Sequence, residues 1–298
     1  TGTNFSINRF RTADLMGFSD PIKNSIDAIQ SFDILLEIHC VMAIFQSTLM
    51  RISEDMMLWF SNDFDLIDIP DCYCGTSSIM MHKKNPYAPQ EIKGAATAAI
   101  GGVMTAFLTE KDLTGLPNID RASSRQALFR SFDTAVGGLD WLIDLIPQIH
   151  PKKKIMKTKA GANWAQATEI ASALVVEHDI PWRRAHQIIG ILVRLAMERK
   201  ISPQDVTSAL IEEASKLYFG KPLGLSQKAL ADALDPSSIL SNRLVYGGPG
   251  IKEVLERIPD YLEEQAKDVN IVTELSRQIE KADENLEIAI DKILKYKN

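Results

Sequence analysis

"FDILLEIHCVMAIFQSTLMRISEDMMLWF", residues 32–60, decides the fold class. From Phe32 onward, Leu35, Leu36, Ile38, Val41, Ile44, Phe45, Leu49, Ile52, Met56 and Trp59 recur with a period near 3.6, which predicts one long helix. Its apolar stripe is broader than a single partner helix would cover. Upstream, "SDPIKNS" (19–25) offers a helix start, with Asp20 as a cap and Pro21 suited to the first turn. Downstream, "NDFDLIDIPD" (62–71) breaks the pattern and leads into "GTSSIMMHKKNP" (75–86).

Two further helical runs follow. One extends from about Glu91 to Lys111 and is rich in small residues (Ala95, Ala96, Ala98, Ala99, Gly101, Gly102), which let helix backbones approach closely inside a bundle; "GLPN" ends it. The other, from about Ser124 to Ile146, carries Leu128, Phe132, Ala135, Leu139, Leu142, Ile143 and Ile146 at helical spacing. No alternating strand stands out in the first 150 residues, so the expected class is all-α, a long-helix bundle. "PQIHPKKKIMK" (147–157) marks a boundary, with Lys152 to Lys154 read as a solvated linker. Shorter helices are expected over Ala165–His178, from Pro181 to about Lys200, and after Ser202 and Pro203, before the turn-rich "DPSSILSNRLVYGGPG" (235–250). A tail helix over Val272–Lys297 has Leu275, Ile279, Ala282, Leu286, Ile290 and Ile293 on one face and needs a partner. The expected division is a bundle part at 1–146, a small helical domain at 147–254 and the helical tail at 255–298.

Bulk composition narrows the function. The 298 residues are 45% hydrophobic and 24% charged, the balance of a globular protein. A net charge of -6 gives no reason to expect nucleic acid or an anionic membrane as partner. No apolar run approaches the roughly 18 to 20 residues of a membrane span, and no signal peptide opens the chain. Three cysteines suggest a reducing, cytoplasmic setting without a disulfide framework. The chain starts at Thr1 with no initiator Met, as expected of a processed start or of the later part of a longer polypeptide.

The loop at 75–86 is chemically unusual. A serine is a poor base unless cations, hydrogen-bond donors and exclusion of water stabilise its alkoxide. Lys83 lies six residues after Ser77 and Asn85 eight after it. A loop folded back on itself would bring an ammonium and an amide to the serine, and backbone N–H groups near Ser77 and Ser78 would add an anion-binding concavity. Such a site suits a substrate carboxylate gaining charge as a proton leaves the adjacent carbon. Composition and spacing alone leave an ordinary polar loop as the alternative.

"TSSIMMHKKNP" resembles the signature loop of the fumarase/aspartase superfamily, G-S-S-x-M-P-x-K-x-N-P, and the chain is most similar to its argininosuccinate lyase family. "TGTNFSINRFRTADLMGF", "NSIDAIQSFD", "IPWRRAHQIIGILVRLA" and "LDPSSILSNRLVYGGPG" carry the likeness in order from Thr1 to about Val254. The resemblance implies an all-α homotetramer with a central helix bundle, active sites where three subunits meet, and a metal-free, cofactor-free elimination that releases fumarate from a succinyl-amino compound. It implies Ser77 as catalytic base. Lys83 and Asn85 would bind the succinyl carboxylate and stabilise the aci-carboxylate, with Ser78, Ile79 and Met80 as loop backbone around it. Asn24, Ser25 and Asp27 fall in a segment near the site.

Four departures bear on the expectation. Thr76 replaces a glycine and Met81 a proline, both inside the loop. "LPNIDRASSRQALFRSFD" (116–133) lacks the family's polar residues for the arginine-like half and offers Arg121 and Arg125, which suit an anionic group. The superfamily's two earlier conserved regions, including its proton-transferring histidine, have no match at His39, His82, His150, His178 or His186. The upstream portion of the same protein, or a second polypeptide, is therefore expected to complete the site. Alternatives are a paralogous lyase with a different amine leaving group and a catalytically silent bundle scaffold.

The remaining candidates read as structural. His39 and His186 are expected to be packed or capping residues. Cys72 and Cys74 form a C-x-C without a second pair for zinc. "YGGPG" (246–250) is a turn rather than a phosphate loop, and Trp59, Trp141, Trp164 and Trp182 are core or interface anchors. His82, between Met81 and Lys83, adjoins the candidate base, and a related branch of the superfamily has histidine there, but it too is expected to lie outside the catalytic set.

Overall fold

The computed structural model describes residues 2–111, 119 and 121–295. The chain forms two compact units, one of residues 1–151 and 267–298 and one of residues 152–266. The sequence places its boundaries at 146 and 254; the structural division falls at 151, and the tail is shared between the units.

The first unit opens with α1 (Arg9–Leu15), capped by the Asn8 side chain, and a single turn, α2 (Asp27–Gln30). The long helix α3 (Asp33–Phe60) follows, then α4 (Tyr87–Glu110) and α5 (Arg121–Leu145). Along α3 the buried residues are His39, Met42, Ala43, Gln46, Leu49, Ser53 and Met56, one side of the helix at three- and four-residue steps. Nε2 of His39 meets the Ser124 carbonyl at 3.1 Å and Nε2 of Gln46 donates to the Ser131 carbonyl at 2.6 Å, both at an offset of 85 residues. The constant offset makes α3 and α5 parallel. Between them α4 runs antiparallel, with Gly102 against His39, and with Ile92 and Leu49 both against Gly138. The small residues Ala88, Ala96, Ala99, Gly102 and Ala106 make up most of the buried face of α4, with Pro89, Ile92 and Thr109.

The sequence gives no sign of two very short ladders. β1 (Ile67–Asp68) pairs antiparallel with β4 (His150–Pro151), and β2 (Gly75–Thr76) with β3 (Lys84–Asn85). The first closes the bundle end, where Ile67, Ile69, Tyr73, Leu142 and Leu145 form a cluster with Leu49 and Met56. The second forms the stem of the 75–86 loop. "GLPN" at 115–118, and the 116–118 and 120 positions of the proposed specificity segment, lie outside the described residues.

The expectation that no apolar run approaches a membrane span needs correction at two helices. Asp27–Phe60 and Tyr87–Glu110 are long and apolar enough to cross a membrane by length and composition. Scattered charges interrupt each run, yet its average stays high, which is why inspection for unbroken runs misses them. Both are also bundle helices, and α3 buries His39, Gln46 and Ser53 against its neighbours. The outer faces are apolar too: Val41, Ile44, Ile100, Met104, Phe107, Phe129 and Val136 are exposed.

In the second unit the basic stretch after Pro151 is a helix, α6 (Lys153–Ala160), rather than a linker. α7 (Ala167–His178), α8 (Trp182–Glu198), α9 (Ser208–Phe219), α10 (Gln227–Leu234) and α11 (Pro236–Ser241) follow. Thr207, Ser226 and Asp235 cap the last three with their side chains. Ile170, Leu174, Ile188, Leu192 and Ile211 are the centre of this unit's core. The final helix α12 (Ile251–Lys295) starts well before the predicted Val272, continuing through Pro259. Ala282 and Ala289 are its buried apolar residues, and Ala282 lies against Gly17.

Candidate functional site

Gly75 pairs with Asn85 and Thr76 with Lys84, so the stem brings Ser77 and Lys83 to the two mouths of one seven-residue loop. Ser77 is half-buried, and its Oγ accepts hydrogen bonds from the N–H of Ile79 at 3.3 Å and of Met80 at 3.1 Å. The Lys83 N–H closes the turn on the Met80 carbonyl at 3.0 Å. Two N–H dipoles directed at one hydroxyl oxygen favour its charged form. Thr76 fits the extended stem and Met81 the loop, so neither departure prevents the hairpin.

The rest of the loop is turned outward. Ser78, His82 and Lys83 are exposed, Asn85 is half-buried, and Ile79 and Met81 are 87% and 91% exposed. Apolar side chains held in solvent at a loop tip mark a surface that something else covers.

Lys84 differs from its neighbour. Its Nζ lies 3.3 Å from Asp68 and 2.8 Å from Asp71, and 5.6 Å from the centre of the Phe60 ring. Burial opposes its charge, yet the hydrogen bonds to Asp71 and Asp68 hold its pKa above the ordinary lysine value. Just before the stem, the Tyr73 hydroxyl donates to Asp144 Oδ2 at 2.7 Å, and the Gln148 amide donates to the same hydroxyl. Burial raises the Cys74 thiol, so this cysteine is no ready thiolate. Lys84, Phe60, Asp68, Asp71, Tyr73 and Asp144 are supporting residues the sequence reading missed. The one available signal was the doubled lysine.

The other candidates gather elsewhere. The Asn24 carboxamide oxygen accepts from the N–H of Ile26 at 2.9 Å and of Asp27 at 3.2 Å, shaping the turn that carries Ser25 and Asp27. Arg121, expected on the substrate, is not a free cation within this chain. Its guanidinium pairs with Glu110 at 3.0 Å, donates to the carbonyls of Gln30 at 2.8 Å and Ile29 at 3.3 Å, and stacks 3.7 Å over Phe32. It holds the Asn24 turn against the bundle. Arg125, one turn further along α5, is exposed.

These two groups occupy opposite ends of α3. Lys84 sits over Phe60 and Arg121 over Phe32, with 28 helical residues from Asp33 to Phe60 between. At 1.5 Å per residue that is about 42 Å. A single chain does not bring Ser77, Lys83 and Asn85 together with Asn24, Ser25 and Arg125. Among the histidines, His39 is packed in the bundle core as expected, while His186 lines an apolar cavity of about 300 Å³ with Trp182 and Ile189.

Comparisons with known proteins agree in direction. A lyase family model matches residues 1–101, and an argininosuccinate lyase C-terminal model matches residues 164–241. The argininosuccinate lyase of Methanothermobacter thermautotrophicus is 34% identical over 270 residues, 90% of this chain and 58% of the relative. That of Methanosphaera stadtmanae is 32% identical over 89% of this chain and 57% of the relative. The chain thus spans under three-fifths of the length of these curated relatives. Among solved structures, an EDDS lyase in complex with formate superposes with a TM-score of 0.87 at 28% identity, covering 99% of this chain and 59% of that one. An EDDS lyase variant with bound fumarate gives 0.86 at 28% identity, over the same shares of the two chains. The class II fumarase of Schistosoma mansoni, at 16% identity, a TM-score of 0.52, and 67% of this chain against 43% of that one, shares the fold.

Proposed function

Because this chain belongs to the argininosuccinate lyase family, we propose that it forms part of a lyase that cleaves the C–N bond of an N-substituted aspartate and releases fumarate. Argininosuccinate, giving arginine and fumarate, is the leading substrate. The carrying observation is the Ser77 hydroxyl with two backbone N–H groups directed at it, in a loop that also presents Lys83 and Asn85.

The chemistry is an anti-elimination. Ser77, as alkoxide, removes a proton from the carbon beside a substrate carboxylate. The electron pair moves into that carboxylate, and Lys83, Asn85 and the loop amides of Ser78, Ile79 and Met80 hold the resulting aci-carboxylate dianion. The pair then returns to form the carbon–carbon double bond as the C–N bond breaks. The departing nitrogen takes a proton from a group outside the residues named here. Closure of the loop excludes water, and the exposed Ile79 and Met81 are the side chains that closure would cover.

We further propose a homotetramer with sites shared between subunits, in which the Ser77 loop of one copy meets the Asn24 turn and Arg125 of others. The opposite ends of α3 and the apolar outer faces of the bundle helices support this. The upstream portion of the protein, or a second polypeptide, supplies the remaining site residues. A cytoplasmic setting fits the free thiols of Cys40, Cys72 and Cys74. A second reading, a lyase with a different amine leaving group, is favoured by the absence of the arginine-side residues and by the likeness to EDDS lyases.

The test is to incubate the native assembly with argininosuccinate and follow fumarate by its ultraviolet absorbance. Release supports the leading substrate. A folded assembly that releases fumarate only from other N-succinyl compounds supports the second reading, and one that releases none from any of them contradicts both.

A further inference from the structure

The two adjacent lysines of the loop are held in opposite ways, and this separates their roles. Lys83 is exposed at the mouth of the loop. Lys84 is tied to three other segments: Asp68 on β1, Asp71 on the turn after it, and the ring of Phe60 at the end of α3. It also pairs across the stem with Thr76, the residue before Ser77. In extended backbone, neighbouring side chains point to opposite faces. A Lys84 side chain fixed on the bundle side therefore turns its stem neighbour Asn85 to the other side.

We propose that Lys84 is a positioning residue of the elimination, pinning the stem so that Ser77, Lys83 and Asn85 face one volume while the loop beyond them is free to close. This rests on the functional reading above. The ammonium also pairs with both Asp68 and Asp71, so a neutral side chain at 84 removes the charge that ties these two carboxylates to the stem.

The test compares Lys84→Met, Lys84→Arg and Lys83→Met in the native assembly, by steady-state kinetics and by hydrogen exchange of the amides of residues 76–85. Lys84→Met is expected to lower kcat on the order of tenfold to a hundredfold with KM little changed, the scale of a misplaced catalytic group. Exchange in the loop accelerates. Lys84→Arg, which keeps the charge, restores most of both. Lys83→Met loses activity without accelerating exchange at the stem. Asp71→Asn gives the Lys84→Met effect at smaller size and serves if that variant does not fold.

Wild-type kcat in folded Lys84→Met, or unchanged loop exchange, overturns the proposal. If the wild-type assembly releases no fumarate, the functional reading fails on its own, and the exchange comparison still decides whether Lys84 pins the stem.

Discussion

Phe32 and Phe60 stand at the two ends of one unbroken helix, with Arg121 stacked on the first and Lys84 above the second. The helix, about 42 Å long, separates the segment that carries the candidate base from the one that carries the Asn24 turn. Mixing subunits should therefore rescue function. Assemblies of Ser77→Ala alone or Arg125→Ala alone are expected to be inactive or weak, whereas assemblies re-formed from a mixture of the two should recover part of the fumarate release. No recovery from well-formed mixed assemblies would contradict a site shared between copies.

His39 is 1% exposed, and Nε2 contacts both the carbonyl and the hydroxyl of Ser124. Burial lowers its pKa, outweighing the hydrogen bond to the Ser124 carbonyl. Between that lowered value and the ordinary value of about 6.5, the unfolded chain binds more protons than the folded one. Stability is therefore fully present above about pH 6.5, falls as the pH drops through this window, and stops falling on this account below the folded pKa. Urea midpoints measured across the window should show the slope in the wild type and a reduced slope in His39→Leu.

Gly102 is where α4 passes His39. A Cβ there would lie 3.3 Å from His39 Nδ1 and 3.7 Å from the Ala127 methyl. Gly102→Leu overfills the three-helix contact and should destabilise the chain by about 1–3 kcal/mol. Gly101, whose Cβ would meet nothing, is the control. Equal stability of the two leucine variants in denaturant titrations would contradict this packing.

The Tyr73 phenol is pushed up to about 12, first by its hydrogen bond to Asp144. Ultraviolet titration of phenolate should show one tyrosine ionising only near pH 12, absent in Tyr73→Phe. In Asp144→Asn that tyrosine should titrate closer to the ordinary value of about 10. An unchanged titration would show that this contact does not govern Tyr73.

The bundle was legible because two long segments repeat apolar residues at one period and a third, between them, is rich in small residues that let helices pack closely. Ser77, Lys83 and Asn85 stood out as candidates because all three lie within nine consecutive residues of a loop that resembles a family signature. What was not legible depends on distant pairing. Arg121 reads as a free cation until Gln30, 91 positions away, is seen accepting its hydrogen bond. Lys84 reads as a second copy of Lys83 until Asp68 and Asp71 are brought beneath it. The start of α12 was hidden by Pro259 and by charges between Ile251 and Val272, which dilute the apolar period. The two-residue strands carry no periodicity to detect.

The central claim is that Ser77 is the base, and its substitution tests this most directly. With Ser77→Ala in the native assembly, kcat for fumarate release should fall by at least about a hundredfold. Fumarate binding and the denaturation midpoint should stay near those of the wild type, because the hydroxyl is half-buried in a surface loop. Near-normal kcat in the folded Ser77→Ala assembly would mean that another group takes the proton, and that the loop binds carboxylate without deprotonating its neighbour.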